Sequence, residues 1–167
     1  AYFASSLADR GLQVTGLDPD EQALRFAAVR DSRIPLVRGR MESLPFADGR
    51  FDHVIAITSL CFVRMPDEAV REMWRVCRRT VTLGLLHRRS LLYLQKARRN
   101  SYSGARWDRY DDTLTWLRGL APTPKVQARW AVFLPSGDAL ARALEHVLPW
   151  RLPLGSFLAV CLRKPAA

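Results

Sequence analysis

Cysteine is scarce and unpatterned. Cys61, Cys77 and Cys161 lie far apart. No C-x-x-C spacing occurs, which excludes the usual zinc-ribbon and dithiol redox motifs and reads as free thiols in a reducing, cytoplasmic setting. No metal site is expected. Long apolar runs are also missing: no stretch of about 18 such residues exists, so no segment reads as a membrane-spanning helix. No basic-then-apolar leader opens the chain, so no sign of secretion is read. There is no internal repeat or low-complexity stretch. Lysine is rare, with 3 residues against 23 arginines. What is present is ordinary for a globular domain: 167 residues, 49% hydrophobic and 25% charged. That length suits a single domain with a core of its own.

The formal charge of +10 is unevenly spread. Residues 1–86 carry 12 basic and 11 acidic side chains, residues 87–110 carry 7 and 1, and residues 111–167 carry 7 and 4. The excess therefore centres on His87–Tyr110. Arginine forks suit phosphate and carboxylate, so this segment could hold an anionic partner, or it could simply be a solvated helix face.

Strand-like and helix-like segments alternate. Helical spacing runs over 2–10 and stops at Gly11. A strand is expected at 12–17, then a helix opened by Asp18-Pro19 and running to about Arg30, with Ala23, Leu24, Ala27 and Ala28 on one face. A short strand follows at Ile34–Val37 and a buried one at Asp52–Thr58. A helix is expected from Pro66 to about Arg79, with Val70, Met73, Trp74 and Cys77 on one side, then a strand at Thr80–Leu86. Ser90 caps a helix reaching about Arg99, and Asp111 or Asp112 caps a shorter one ending before Gly119. A strand at Val126–Leu134, a helix at Gly137–Leu148 and a strand at Gly155–Leu162 complete the pattern.

Such alternation, with apolar β-branched strands, predicts an α/β fold with a mostly parallel sheet. Ligands of open α/β sheets bind at the carboxyl ends of the strands. Asp18, Arg40–Glu42, Thr58–Phe62 and the residues from His87 onward are placed there. A carboxylate at Asp18 could accept hydrogen bonds from both hydroxyls of a ribose, or cap the next helix, or both. On position alone it would suit any nucleoside cofactor, NAD included.

The segment Gly39-Arg40-Met41-Glu42-Ser43-Leu44-Pro45-Phe46, followed by Ala47-Asp48-Gly49-Arg50-Phe51-Asp52-His53-Val54-Ile55, resembles the class I S-adenosylmethionine-dependent methyltransferases of the type 11 family. Their usual wording is G-D-A-E-x-L-P-F and then x-D-G-x-F-D-x-V. The resemblance covers residues 1–87 well and the remainder weakly. It implies a Rossmann-like, three-layer α/β/α domain spanning 1–167. Within it, 1–87 form the cofactor-binding core, 88–125 a substrate-covering helical segment, and 126–167 the C-terminal strands and helix.

The same resemblance places S-adenosylmethionine. Asp18 would hold its ribose hydroxyls and Pro19 would lie beside the adenine. Arg40 and Met41 fall where the family has Asp and Ala at the adenine ring. Arg40 cannot accept a hydrogen bond, so that contact would pass to a backbone carbonyl or to Glu42. Met41 could stack on the ring or be a core methionine. Thr58 and Ser59 would border the methionine part. Leu44, Pro45, Phe46 and Phe51 would be scaffold, with Asp52 anchoring the turn. The family's first strand and G-x-G-x-G loop have no counterpart. Ala1 stands at or beside the last glycine of that loop, and the absent strand would lie between the strands at 12–17 and 52–58. The expectation is an N-terminally truncated methyltransferase domain that binds cofactor poorly.

Candidates for the chemistry itself are few. Methyl transfer is an in-line displacement in which positioning can dominate, and a base is needed only if the acceptor must lose a proton. His87 is a weak candidate base on the rim, or else a surface histidine. His53 and His146 read as structural, and Cys61 as a buried thiol. Tyr93, Tyr102, Trp107 and Tyr110 intersperse with Arg98, Arg99, Arg106 and Arg109. They could form a lid, a nucleic-acid stacking face, or an inward-packed aromatic cluster. The reading is methyl transfer to a small-molecule acceptor near Ser59–Arg64 and His87–Trp107. The alternatives are a non-catalytic nucleoside-binding module, or a basic domain that docks or methylates RNA.

Overall fold

The computed structural model describes residues 2–96, 104–133 and 152–165. Two separate sheets organise them. The first is small: β1 (Gly16–Asp18) pairs in parallel with β2 (Leu36–Arg38). Helix α1 (Tyr2–Ala8) precedes β1, and α2 (Glu21–Arg30) connects the two strands. The second sheet has four strands in the order β3 (Phe51–Ile57), β4 (Cys77–Leu86), β6 (Phe157–Arg163), β5 (Lys125–Ala131). There β3 and β4 run in parallel, and β6 runs antiparallel to both β4 and β5. Three of its four strands thus point the same way, giving the mostly parallel α/β arrangement expected. No strand of one sheet pairs with a strand of the other.

Several boundaries differ from expectation. The strand expected at 12–17 is paired only over Gly16–Asp18, so Asp18 ends the strand instead of following it. Residues 12–15 have no neighbouring strand to bond. Helix α2 begins at Glu21, and its cap is Asp20, whose carboxylate accepts from Gln22 N at 2.8 Å. Neither Asp18 nor Pro19 caps it. Helix α3 (Pro66–Val76) stops three residues before Arg79. Cys77 keeps the buried helical spacing, yet its backbone is already extended (φ −89°, ψ 143°) and starts β4. Helix α5 (Tyr110–Trp116) has Arg109 as its cap residue. Asp112 acts from inside the first turn, accepting from Arg109 N at 2.9 Å. Ser90 does cap α4 (Leu91–Lys96), its hydroxyl accepting from Tyr93 N. The expected end of α4 near Arg99, the helix at 137–148, Tyr102, Arg98, Arg99 and His146 lie outside the described residues.

The core belongs to the larger sheet. Val81, Leu83, Leu85, Leu158, Val160 and Leu162 are 0–1% exposed and pack with Ala69, Val70, Met73 and Trp74 of α3 and Trp116 of α5. Gly84 is fixed by space: a Cβ there would sit 2.4 Å from Phe157 Cζ and 2.9 Å from Ile57 Cδ1. In contrast, α1 and α2 contain no buried residue. No described helix is long and apolar enough to cross a membrane.

Candidate functional site

The carboxyl ends of β1, β3 and β4 carry the predicted residues. Asp18 is half-buried at the end of β1. One carboxylate oxygen accepts from Asp20 N at 2.9 Å, closing a tight turn and leaving the other oxygen for a ligand. Its carbonyl accepts from Gly39 N at 3.2 Å, which brings Asp18 beside the Arg40–Glu42 turn. Space at Gly39 is tight: a Cβ would lie 3.1 Å from Leu17 Cδ1 and 3.3 Å from Pro45 Cδ. Pro19 is exposed next to it.

The Arg40–Glu42 turn is less free than the resemblance implied. Arg40 pairs with Glu42 at 3.0 Å, and the Glu42 side chain is only 9% exposed. Its carboxylate is therefore already engaged by a cation. Met41 packs against the main core cluster, which favours the core-methionine alternative.

The Leu44-Pro45-Phe46 loop is held by two residues that the sequence reading passed over. Glu72 accepts from Leu44 N at 2.8 Å. Arg75 donates to the carbonyls of Leu44 and Phe46 at 3.1 and 2.9 Å and to Asp48 at 2.6 Å. The Glu72–Arg75 pair closes this network, and the guanidinium holds the Glu72 carboxyl below its ordinary range. The available signal was an acid and an arginine three apart on α3, opposite a loop rich in unsatisfied carbonyls. Asp52 bonds Arg78 and lies within 3.6 Å of Arg79, so it ties the start of β4 to β3.

At the end of β3, Thr58 has φ +51°. That conformation strains a β-branched residue, and such strain collects at functional turns. Its N–H donates to Gly84 O at 2.8 Å, and its own carbonyl accepts from the Cys61 thiol. Burial pushes that thiol up to about 11, so Cys61 is a structural, protonated group. A 3₁₀ turn, Leu60–Phe62, follows.

Arg106 clamps this turn. It donates to Leu60 O and Val63 O at 3.0 and 2.8 Å, while its backbone N–H donates to Cys61 O. Asp108, 2% exposed, accepts from Arg106 at 2.6 Å. Burial pushes the Asp108 carboxyl upward against the opposing pull of Arg106. Segment 104–108 is thereby fastened across the rim.

His87 is 2% exposed, so the surface-histidine alternative is corrected. Its Nδ1 lies 3.0 Å from Gly155 O. A carbonyl only accepts, so Nδ1 bears the proton and Nε2 the lone pair. Burial lowers the ring's pKa below its ordinary value and keeps it neutral. Trp107 packs edge-on to Tyr93, and Tyr110 packs edge-on to Trp130. Those aromatics point inward instead of forming a stacking face. Ala1 lies outside the described residues.

A cleft of about 220 Å³ lies beside β1, lined by Ala4, Gly16, Asp18, Ala27, Ile34 and Leu36 among others. It is smaller than the roughly 300–1,000 Å³ usual for whole-ligand sites. Asp18 is its one charged lining residue.

Residues 1–83 match the family of methyltransferase domains. That stretch of the chain is similar to methyltransferase domains. An uncharacterized methyltransferase of Mycolicibacterium gilvum is 39% identical over 79 residues, covering 46% of this chain and 31% of that protein. Another, from Mycobacteroides abscessus, is 28% identical, covering 86% of this chain and 68% of that protein. The methyltransferase fold extends through most of the chain. An S-adenosylmethionine-dependent methyltransferase from Thermotoga maritima superimposes with a TM-score of 0.71 at 21% identity, covering 91% of this chain and 73% of that one. One from Mesorhizobium loti gives 0.70 at 17% identity, covering 98% and 86%.

Proposed function

We propose that the domain serves S-adenosylmethionine-dependent methyl transfer to a small-molecule acceptor. The observation that carries this is Asp18, a half-buried carboxylate at the carboxyl end of β1 with one oxygen uncommitted, in a chain whose first half matches the methyltransferase domains.

The residues fit the cofactor at its ribose end. Asp18 accepts from the hydroxyls, and the Asp18–Asp20 turn fixes the carboxylate's direction. The adenine end departs from the family wording. Arg40 presents only donors, Glu42 is held by Arg40, and Met41 is turned into the core. Adenine's exocyclic amine is then left to backbone carbonyls of the turn. Thr58 marks the end of β3, where the methionine part would lie. When bound, S-adenosylmethionine supplies an electrophilic methyl group on a sulfonium. The chain's own contribution is positioning: Arg106 holds the 60–63 turn, and Arg75 holds the 44–48 loop. His87 remains the candidate for taking a proton at Nε2, acting from a buried, neutral ring.

The test is binding followed residue by residue. Amide shifts in 16–20 and 58–60 on adding millimolar S-adenosylmethionine are expected, and Asp18→Ala should abolish those at 16–20. No shifts at all, or identical shifts in the variant, would overturn the proposal. The non-catalytic nucleoside-binding alternative predicts the same shifts but no labelled methyl transferred to any amine, hydroxyl or thiol in a mixed metabolite panel.

A further inference from the structure

One feature of the larger sheet lies far from the carboxyl-end rim. Strands β3, β4 and β5 begin, and β6 ends, at the same edge of this sheet. Six cations collect there: Arg50, Arg78, Arg79, Lys125, Arg163 and Lys164. Asp52 is the carboxylate that pairs with this group, shared between Arg78 and Arg79. Lys164 is satisfied on the helix side, donating to Cys77 O and lying over Trp74.

The register makes this edge unusual. His53, Thr80, Arg163 and Lys125 are successive partners across all four strands. Side chains in one row share a face, so they form a line of about 14 Å, three strand spacings long. His53 is already joined to Thr80 at 2.6 Å. Arg163 and Lys125 stand directly opposite one another, both exposed, with no acid in their row. Like charges facing across strands destabilise a sheet. A stable fold tolerates such a pair where an anion relieves it. The next row adds Thr82 and Gln127 on the same face, and neither brings a negative charge.

We propose that this amino-end edge docks the phosphate backbone of single-stranded nucleic acid. Lys125 and Arg163 stand side by side along this edge, and Arg78 and Arg79 lie at the start of the adjoining strand, an array spread over several strands that suits an extended polyanion better than one phosphate. Four of the six are arginines, whose forks match phosphate oxygens. A membrane surface would need apolar side chains to insert beside the charges. Among the exposed large hydrophobic residues, only Ile55 lies on these two rows. The edge is opposite the carboxyl ends where Asp18, Thr58 and His87 sit, so the polymer is held as a docking partner and is not the methyl acceptor. The proposal is independent of methyl transfer and of cofactor binding.

Fluorescence anisotropy of a labelled oligouridine about 20 nucleotides long, with the full chain, tests this between roughly 50 and 200 mM salt. Wild type should bind, and K125E/R163E should weaken binding about tenfold or more at the lower salt. The slope of log affinity against log salt should flatten by about 1.4 in K125Q/R163Q, since each single-strand phosphate contact contributes about 0.7. K125Q/R163Q should keep a thermal midpoint at or above wild type, because the facing like-charge pair is removed, whereas K125E/R163E only exchanges one like-charge pair for another and should gain no stability. If the charge reversal unfolds the chain, the glutamine variant carries the test. Three results would overturn the proposal: no RNA binding by wild type, undiminished binding by both variants, or an equal loss in R88E/R89E, which alters the other basic segment. Tighter binding to phosphatidylserine vesicles than to RNA, lost in the same variants, would also overturn it.

Discussion

The two sheets of this chain end in opposite states of burial. Around β3–β6, apolar side chains recur on one face, and that face is dry: six strand residues are at most 1% exposed. Around β1 and β2 apolar residues are also frequent but are less cleanly sorted to one face of α2, and Phe26 is 68% and Val29 89% exposed, with Ile34 the one buried hydrophobic among described residues 2–38. An amphipathic face stabilises only when something covers it. The larger sheet has α3 and α5 against it; the smaller has a partly open cleft. Amphipathic pattern therefore shows which face wants burial, and only neighbours in three dimensions supply it.

The largest way to break the contrast is at Leu158. It is fully buried in β6, and Leu158→Ala should cost about 2–5 kcal/mol in urea unfolding. Leu24→Ala, on a half-exposed α2 position, should cost under about 1 kcal/mol. Equal costs would mean the small sheet is buried in solution. Amide exchange should agree, with β4 amides opening near the global limit and β1 amides exchanging far sooner.

Legibility followed the same division. The strand at Thr80–Leu86 was readable as a buried, continuous apolar run, and α3 because Val70, Met73 and Trp74 keep helical spacing. The strand expected at Asp52–Thr58 was placed to within a residue, but it is not buried as expected, since in β3 only Ala56 is covered. The end of α3 was not readable. Cys77 satisfies the helix period and is buried, but it is buried as the first residue of a strand. Asp18 was readable because a strand-ending acid is a local feature. Arg75 and Arg106 were not, because both act on backbone carbonyls some 30 to 46 residues away in sequence. His87 was placed on the right rim with the wrong exposure, since covering by Gly155 and Trp130 is a long-range event.

Next in size is Gly84. Alanine there would push into Phe157 and Ile57, and overpacking of this kind costs about 1–3 kcal/mol. Gly104, around which a Cβ would meet nothing within 4 Å, pays only for its positive φ, so G104A should cost less. If G84A is neutral, the β3–β4–β6 face is looser than its neighbours imply.

A smaller effect should appear with pH. The unfolded chain protonates His87 near the ordinary value of 6.5, whereas the folded chain resists until lower pH because burial lowers the ring's pKa. Stability is then fully present above 6.5 and falls as the pH drops below it, by up to about 1.4 kcal/mol per pH unit. Asp108 acts with the opposite sign in more acidic solution, because its pKa is raised and the folded state keeps a proton that the unfolded state releases. His87→Gln should flatten the difference in urea midpoint between pH 7.5 and 5.5. An unchanged difference would assign the pH response elsewhere.

The smallest expected effect tests the comparison most directly. Val29 is 89% exposed on α2, so Val29→Lys should change stability by no more than about 0.5 kcal/mol. Lysine has good helix propensity and Val29 is a β-branched residue, so the change should lean toward stabilisation. A loss above about 1.5 kcal/mol would require the open face of α2 to be covered in solution. Dilution then separates the causes: a loss that depends on protein concentration points to a second copy on that face, and one that does not points to cover from within the chain.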